Sequence, residues 1–218
     1  MDRGAPHTAW PSNVPELTTK RLCLRAPLPQ DAAALLSILG DPEVTRYHNM
    51  ATLISLADAS AALERLQHRY AARDTIRWAI DLVEHREMIG TVGLLRFDFE
   101  HRRAEVGYEI ARRWWARGLA TEAAAAVIKY GFSVLGLHRI EAGILLGNDA
   151  SVRVVQKLGF VEEGPRRDYL YSKGHFHTLR WFSLLETDER VAGVREVAEE
   201  PEVRQRSIQV NVSRRPRS

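Results

Sequence analysis

Seven residues from Trp115 to Thr121, with the sequence WARGLAT, carry the clearest chemical signal in this chain. They follow a stretch that alternates apolar and polar residues, 104–110, and they precede an alanine-rich stretch whose apolar residues recur every three or four positions. The first pattern predicts a strand and the second predicts a helix. The first N–H groups of a helix have no partner inside it, and together with the helix dipole they attract phosphate. The loop therefore predicts an anion site, although a plain connector fits the same residues.

The order of strand, loop and helix is repeated in residues 139–161. Apolar and polar residues alternate up to Leu146, which predicts a second strand. Asn148 and Asp149 would end that strand, and Ser151 is placed to cap a short helix. Gly159 is the expected stop signal of this helix, after which an apolar run resumes.

The remaining elements that must position these loops alternate between strands and helices. Residues 30–39 and 55–73 have the apolar spacing of helices. Further strands are predicted at 22–25, 77–83, 88–97, 160–163, 169–172 and 178–185. The sequence thus predicts a mixed α/β chain with one central sheet.

Composition sets broad limits on the class of protein. The chain has 218 residues, of which 45% are hydrophobic, enough for one domain with a substantial core. Cys23 is the only cysteine, which excludes a disulfide framework and favours a reducing compartment. No apolar run approaches the length of a membrane span, and the N-terminus lacks the apolar segment of a signal peptide. A soluble, cytoplasmic protein without membrane contact is expected.

The two ends differ in composition from the middle of the chain. Residues 1–15 contain three prolines and little periodicity, so we expect a disordered segment before a domain at 16–187. Residues 188–218 form a charged tail in which acidic residues come mostly first and arginines last. The basic end could contact RNA. A formal net charge of only +3, with no aromatic residue in that tail, favours a flexible, solvated tail over a nucleic-acid partner.

Several blocks, in this order, resemble the GNAT acetyltransferase superfamily, and within it the ribosomal-protein N-acetyltransferase-like (RimJ/RimL type) branch. The blocks are LTTKRLCLR at 17–25, WAIDL at 78–82, IGTVGL at 89–94, AEVGYEI at 104–110, WARGLATEA at 115–123, NDAS at 148–151 and KLGF at 157–160. The resemblance covers residues 17–185. In the phosphate loop of the superfamily, Arg or Gln is followed by two residues, Gly, one residue, and Gly or Ala. Here Trp115 takes the first position, with Gly118 and Ala120 in the later ones.

The resemblance implies the GNAT fold, a central, mostly antiparallel twisted sheet flanked by helices, with two middle strands that splay apart to admit acetyl-CoA. It implies that the backbone of Ile110 and Arg112 pairs with the pantetheine amides as an added strand would. It implies that Asn148 hydrogen-bonds the pantetheine arm or holds the end of its strand. The residues that would hold the pyrophosphate are Arg117, Gly118, Leu119, Ala120 and Thr121. No metal site is expected.

Four residues are candidates for acid–base chemistry in the implied cleft. Glu105 is the preferred general base, although a solvated strand residue fits it equally well. Ser151 could protonate the departing thiolate, or it could simply cap the helix. Tyr169 and Tyr171 are alternative acids, and both could instead be packing residues of a strand.

Three functions remain open at this stage. The first is an N-acetyltransferase that moves acetyl from acetyl-CoA to the α-amine of a protein N-terminus. The second is the same enzyme acting on a small-molecule amine, such as an antibiotic or polyamine. The third is a non-catalytic acyl-CoA-binding or RNA-associated module. Either a monomer or a homodimer is compatible with the sequence.

Overall fold

The computed structural model describes residues 10–85 and 87–188 of the protein. Its strands are β1 (Leu17–Thr18), β2 (Leu22–Arg25), β3 (Thr75–Leu82), β4 (Glu87–Asp98), β5 (Arg103–Ile110), β6 (Arg139–Leu145), β7 (Val161–Ser172) and β8 (His175–Leu185). Its α-helices are α1 (Ala32–Leu39), α2 (Pro42–Thr45), α3 (Leu56–Ala71), α4 (Leu119–Ser133) and α5 (Asp149–Lys157). Short 3-10 turns lie at Pro29–Asp31 and Arg112–Trp114.

The strands form one eight-stranded sheet in the order β1-β2-β3-β4-β5-β6-β8-β7. Neighbouring strands are antiparallel except β5 and β6, which run parallel. Their parallel register covers only Arg103–Glu105 against Arg139–Glu141, after which the two strands separate. The mixed α/β class, the mostly antiparallel sheet and the splayed middle strands are therefore confirmed.

Helix α4 packs on one face of this sheet through small side chains. Its buried run of four alanines, 123–126, lets the helix approach the strands closely. Val106 and Ile110 of β5 and Val155 of α5 belong to the same core cluster. A second core cluster joins α1 and α3 to Ala79 of β3. Helices thus cover the sheet on both sides, and the end of β5 lies next to the start of α4.

The N-terminal segment packs against the domain from residue 10 onward, which differs from the prediction that residues 1–15 lie outside the fold. The indole of Trp10 contacts three aromatic rings at centroid distances of 5.0 to 5.9 Å: Tyr70, Phe97 and Phe99. The indole N–H of the buried Trp78 donates to the carbonyl of Pro15 at 2.7 Å. Burial of apolar surface outweighs the low periodicity of this segment. Residues 1–9 and 189–218, and hence nearly all of the predicted tail, lie outside the described residues.

In the described ranges, none of the helices has the length and apolar character needed to cross a membrane.

Candidate active site

The gap between β5 and β6 exposes backbone groups that the sheet does not use. The N–H of Ala111 donates to the carbonyl of Ile89 on β4 at 2.7 Å. Backbone groups alternate in direction along a strand, so those of Val106, Tyr108 and Ile110 face the gap instead. With β6 diverging from β5 beyond Glu105, these groups can pair with an extended ligand that enters as an added strand.

Trp115 changes which of these groups remain open. Its indole N–H donates to the carbonyl of Ile110 at 2.7 Å, and its backbone N–H donates to the carbonyl of Arg112 at 3.1 Å. Arg112 lies in a 3-10 turn and not in an extended segment. The carbonyls of Ile110 and Arg112 are therefore engaged within the chain, and the backbone N–H groups of these two residues are left for a pantetheine arm.

The predicted phosphate loop enters α4 through two residues with left-handed backbone. Ala116 has φ 59° and Gly118, the N-cap, has φ 74°. Helix α4 begins at Leu119, so its first residues belong to the stretch that the sequence assigned to the loop. The side chain of Leu119 is buried, so this residue can contribute only its backbone N–H to a ligand. The first-turn N–H groups of α4 remain available to an anion.

Three arginines lie in or just before this loop in sequence, Arg112, Arg113 and Arg117. The Arg117 guanidinium lies over the Trp114 ring at 4.7 Å from its centroid. Arg112 and Arg113 line an open depression of about 520 Å³ between the 3-10 turn and α1, together with Ser37, Asp41 and Ala111. Asp41 in the same lining, and the ion pair of Arg113 with Glu87, offset part of the positive charge of these side chains.

The start of α5 forms the other side of the gap. Asn148, and not Ser151, is the N-cap of α5: its side-chain oxygen accepts the Ser151 N–H at 3.2 Å. Ser151 lies inside the first turn, three residues after that cap, so the prediction that it caps the helix is wrong. The capping bond occupies the Asn148 side-chain oxygen and leaves its amide N–H groups for a ligand.

Tyr108 was not singled out by the sequence, yet it spans the gap. Its hydroxyl donates to the backbone carbonyl of Ser151 at 3.3 Å and so connects β5 to α5. Burial raises the pKa of Tyr108 well above its ordinary value, which keeps the hydroxyl protonated. The alternating pattern of β5 explains why it was missed, since an aromatic residue in a strand usually packs in the core.

Glu105 lines a polar cavity of about 200 Å³ on the sheet face opposite α4. It lies directly across from Glu141 of β6 and forms an ion pair with Arg96. Burial raises the pKa of Glu105 above its ordinary value, and the Arg96 guanidinium opposes part of that shift. The full lining of the cavity is Arg96, Asp98, Arg103, Glu105, Glu141, Arg166, Tyr169 and Trp181.

The two candidate tyrosines lie in different places. Tyr169 lines the cavity with Glu105, and its ring contacts that of Trp181 at 5.3 Å. Tyr171 pairs with Phe176 of β8 and shares its face of the sheet. Phe176 and Trp181 are five residues apart on β8, an odd number, so they lie on opposite faces, and Tyr171 lies on the face away from Trp181. Tyr171 is also 63% exposed. The structure therefore brings Tyr169 near Glu105 and does not bring Tyr171 there.

A second carboxylate on β5, Glu109, lies four residues after Glu105 and therefore on the same face of the strand. Its two oxygens accept from the Arg77 guanidinium and the Thr91 hydroxyl. Burial works against the charged form, but the Arg77 guanidinium and the Thr91 hydroxyl hold the pKa of Glu109 below its ordinary value. Burial in turn lowers the pKa of His48, so that imidazole is neutral at pH 7. The buried Glu109 and its partners thus lie on the same face of the sheet as Glu105.

Comparisons with known proteins agree with this geometry. The family model "Acetyltransferase (GNAT) domain" matches residues 21–161, and the chain belongs to that family. The uncharacterised N-acetyltransferase YoaA of Bacillus subtilis (strain 168) is 38% identical over 175 residues, 80% of this chain and 99% of YoaA. YdaF of the same strain, a candidate ribosomal N-acetyltransferase, is 38% identical over 101 residues, 46% of this chain and 55% of YdaF.

Two further similarities are to a solved structure and to a polyamine-acetylating protein. The structure of Mycobacterium smegmatis RimJ in complex with CoA-disulfide superposes with a TM-score of 0.74 at 24% identity, covering 86% of this chain and 94% of that one. Spermidine N(1)-acetyltransferase of Vibrio cholerae serotype O1 is 26% identical over 125 residues, 57% of this chain and 72% of that protein. The likeness to the RimJ structure shows the fold, and the similarity to YdaF supports the RimJ/RimL-like branch.

The protein is therefore an acetyl-CoA-dependent N-acetyltransferase of the GNAT type. The residues present suit that cosubstrate: backbone N–H groups that the sheet does not use line a gap, and the N-terminus of α4 follows the strand that borders it. What the family assignment leaves open is the acceptor.

Proposed function

We propose that the acceptor is the α-amine of a protein N-terminus. The observation that carries this proposal is the charge balance of the cavity beside Glu105. Its three carboxylates are each paired with an arginine: Glu105 with Arg96, Asp98 with Arg103, and Glu141 with Arg139. A polyamine carries several positive charges and would be held best by carboxylates without such partners. A peptide N-terminus brings one titratable amine.

The proposed reaction requires only a weak general base. Acetyl-CoA supplies the acetyl thioester. The neutral amine attacks the thioester carbonyl carbon, the C–S bond breaks, and the proton lost by nitrogen goes to Glu105. An α-amine with a pKa of about 8 is partly neutral at pH 7.5, whereas a lysine at about 10.4 is neutral only about one time in a thousand. A carboxylate whose pKa is raised by burial is a better proton acceptor than an ordinary one.

The thiolate that leaves needs a proton, and the α5 side of the gap offers two donors. Ser151 lies in the first turn of α5, and Tyr108 reaches its backbone from β5. We propose Ser151 as the donor, with Tyr169 as the alternative from the cavity side. The hydroxyl of either residue would hydrogen-bond the thiolate as it forms and pass it a proton, which solvent then returns to the hydroxyl.

A small-molecule amine is the second candidate. The similarity to the Vibrio cholerae spermidine acetyltransferase favours it. Against it stands the compensated cavity, which offers no excess negative charge to a polycation.

An acceptor panel tests the proposal. We expect short peptides with a free N-terminus to be acetylated with a kcat/KM at least about tenfold above that of spermidine or of the same peptides with a blocked N-terminus and an internal lysine. Arg96→Gln removes one compensating charge next to Glu105, so it should shift this ratio toward spermidine. Spermidine equal to or better than every peptide with the wild-type protein would contradict the proposal.

A further inference from the structure

We propose that Arg21, in the turn between β1 and β2, is a positioning residue of the phosphate loop. It would hold the Arg117 carbonyl and thereby aim the loop's N–H groups at the phosphates of acetyl-CoA. This inference rests on the proposed cofactor position at residues 117–121. Arg21 is about a hundred residues away in sequence, and its guanidinium donates to the Arg117 carbonyl at 3.0 Å.

The position of Arg21 is fixed by a buried carboxylate of α4. Glu122, in the first turn of that helix, is only 7% exposed. It accepts from Arg21 twice, from the backbone N–H at 2.9 Å and from Nε at 2.6 Å. Its third donor is the Thr19 hydroxyl at 2.7 Å. A buried carboxylate with three donors is held in one orientation, so the Arg21 guanidinium is held as well.

The bond to Arg117 controls the direction of an N–H group. In a trans peptide unit the C=O and the following N–H point in opposite directions. Holding the Arg117 carbonyl toward Arg21 therefore turns the Gly118 N–H away from it, toward the open side of the loop. The left-handed backbone at Gly118, φ 74°, depends on the orientation of this same peptide unit.

The same contacts would also arise if Arg21 merely tied α4 to the sheet. Two properties separate the roles. If Arg21 only connects α4 to the sheet, its loss affects the free energy of unfolding alone. If Arg21 positions the loop, its loss also lowers the affinity of the folded protein for CoA. The bond needs two donor groups of a guanidinium at fixed spacing, which lysine does not provide even though it keeps the charge.

The chain offers a matched control in Arg69. Its side chain is 44% exposed, as is that of Arg21, and its Nε lies 2.6 Å from the carboxylate of Asp74. Arg69 lies in α3, which belongs to the second core cluster and not to the α4 side of the sheet. Loss of an arginine–carboxylate ion pair is common to both substitutions. The two sites differ in proximity to the phosphate loop and in the burial of the carboxylate, since Asp74 is 41% exposed and Glu122 is buried.

The test is CoA titration by calorimetry of the folded full-length chain, with steady-state kinetics alongside. Arg21→Met should raise the Kd for CoA and the KM for acetyl-CoA about tenfold, with kcat at saturating acetyl-CoA within about twofold. Arg21→Lys should remain at least about fivefold weaker than wild type, and Arg69→Met should match wild type. Wild-type affinity in Arg21→Met, or full recovery in Arg21→Lys, would overturn the inference.

Two further measurements cover the cases in which Arg21→Met does not fold or the wild-type chain does not bind CoA. If Arg21→Met does not fold, Thr19→Val loosens Glu122 without removing charge, and it should weaken CoA binding about threefold. Unchanged affinity in that variant would overturn the inference. Failure of the wild-type chain to bind CoA at all would instead refute the proposed cofactor site.

Discussion

Substitution of Gly118 by aspartate tests the cofactor site with a magnitude that the structure sets. Gly118 has φ 74°, so any other residue there carries left-handed strain, roughly 1–2 kcal/mol. A Cβ built at this position would meet only the Arg21 guanidinium, at 3.7 Å, which is an ordinary contact. Gly118→Asp should therefore fold, with a modest loss in the free energy of unfolding.

The effect of Gly118→Asp on CoA binding should be larger than its effect on the free energy of unfolding. A carboxylate at position 118 would lie about 5 Å from a phosphate held by the loop, and at an effective dielectric constant between about 20 and 80 the repulsion is roughly 0.8–3.3 kcal/mol per phosphate charge. Pairing of the new carboxylate with Arg21 would offset part of this, and we therefore expect about 1.4 kcal/mol or more, a fall in CoA affinity of at least about tenfold.

The assay is isothermal titration of CoA into Gly118→Asp and Gly118→Ala, with a thermal melt of each. Gly118→Ala has the same backbone strain without the charge, so it should lose less affinity than Gly118→Asp at a similar stability. A folded Gly118→Asp variant that binds CoA as tightly as wild type would refute the placement of the pyrophosphate at this loop.

Three further predictions concern the buried ion pair of Arg77 with Glu109, the N-terminal segment, and the proposed acid–base residues. Arg77→Met leaves the carboxylate of Glu109 buried without its cation, so urea unfolding should show a loss of about 3–5 kcal/mol; a loss under about 1 kcal/mol would contradict this. Because the folded-state pKa of Glu109 is lowered, its contribution is present above the ordinary pKa of about 4.5 and should fade as pH falls below it. Trp10→Ala should cost about 1–3 kcal/mol in the same assay, and an unchanged midpoint would mean that Trp10 does not pack in solution. Glu105→Gln should lower the acetylation rate most at low pH, and Ser151→Ala at every pH, both with CoA affinity within a few fold of wild type; rates equal to wild type across the pH range would remove both roles.

The strand, loop and helix from β5 to α4 could be predicted from sequence because every signal in them is local. The alternation up to Ile110, the glycine at 118 and the alanine-rich stripe each act within a few residues. The splay of β5 from β6 came from the family resemblance and not from the residues, since strand pairing is a property of two distant segments.

What the sequence missed depends on contacts between distant residues. The bond from Arg21 to Arg117 and the pair of Arg77 with Glu109 require the sheet order before either can be seen. Trp10 was assigned to a disordered end because proline content is a local signal, whereas its aromatic contacts are with residues far along the chain. Asn and Ser are both common helix N-caps, so the sequence alone could not distinguish Asn148 from Ser151 as the cap of α5. In the structure the helix begins directly after Asn148, which is therefore the cap.

Amide hydrogen exchange with and without CoA tests the central claim most directly, because it reports on the backbone groups that are proposed to bind. CoA should protect two sets of amides: the N–H groups of Val106, Tyr108 and Ile110 of β5, which face the gap, and those of residues 117–121 at the start of α4. The hairpin of β7 and β8 around residues 172–175 should exchange at the same rate in both states. Binding of CoA that leaves both predicted segments unprotected, or that protects other residues instead, would contradict the account.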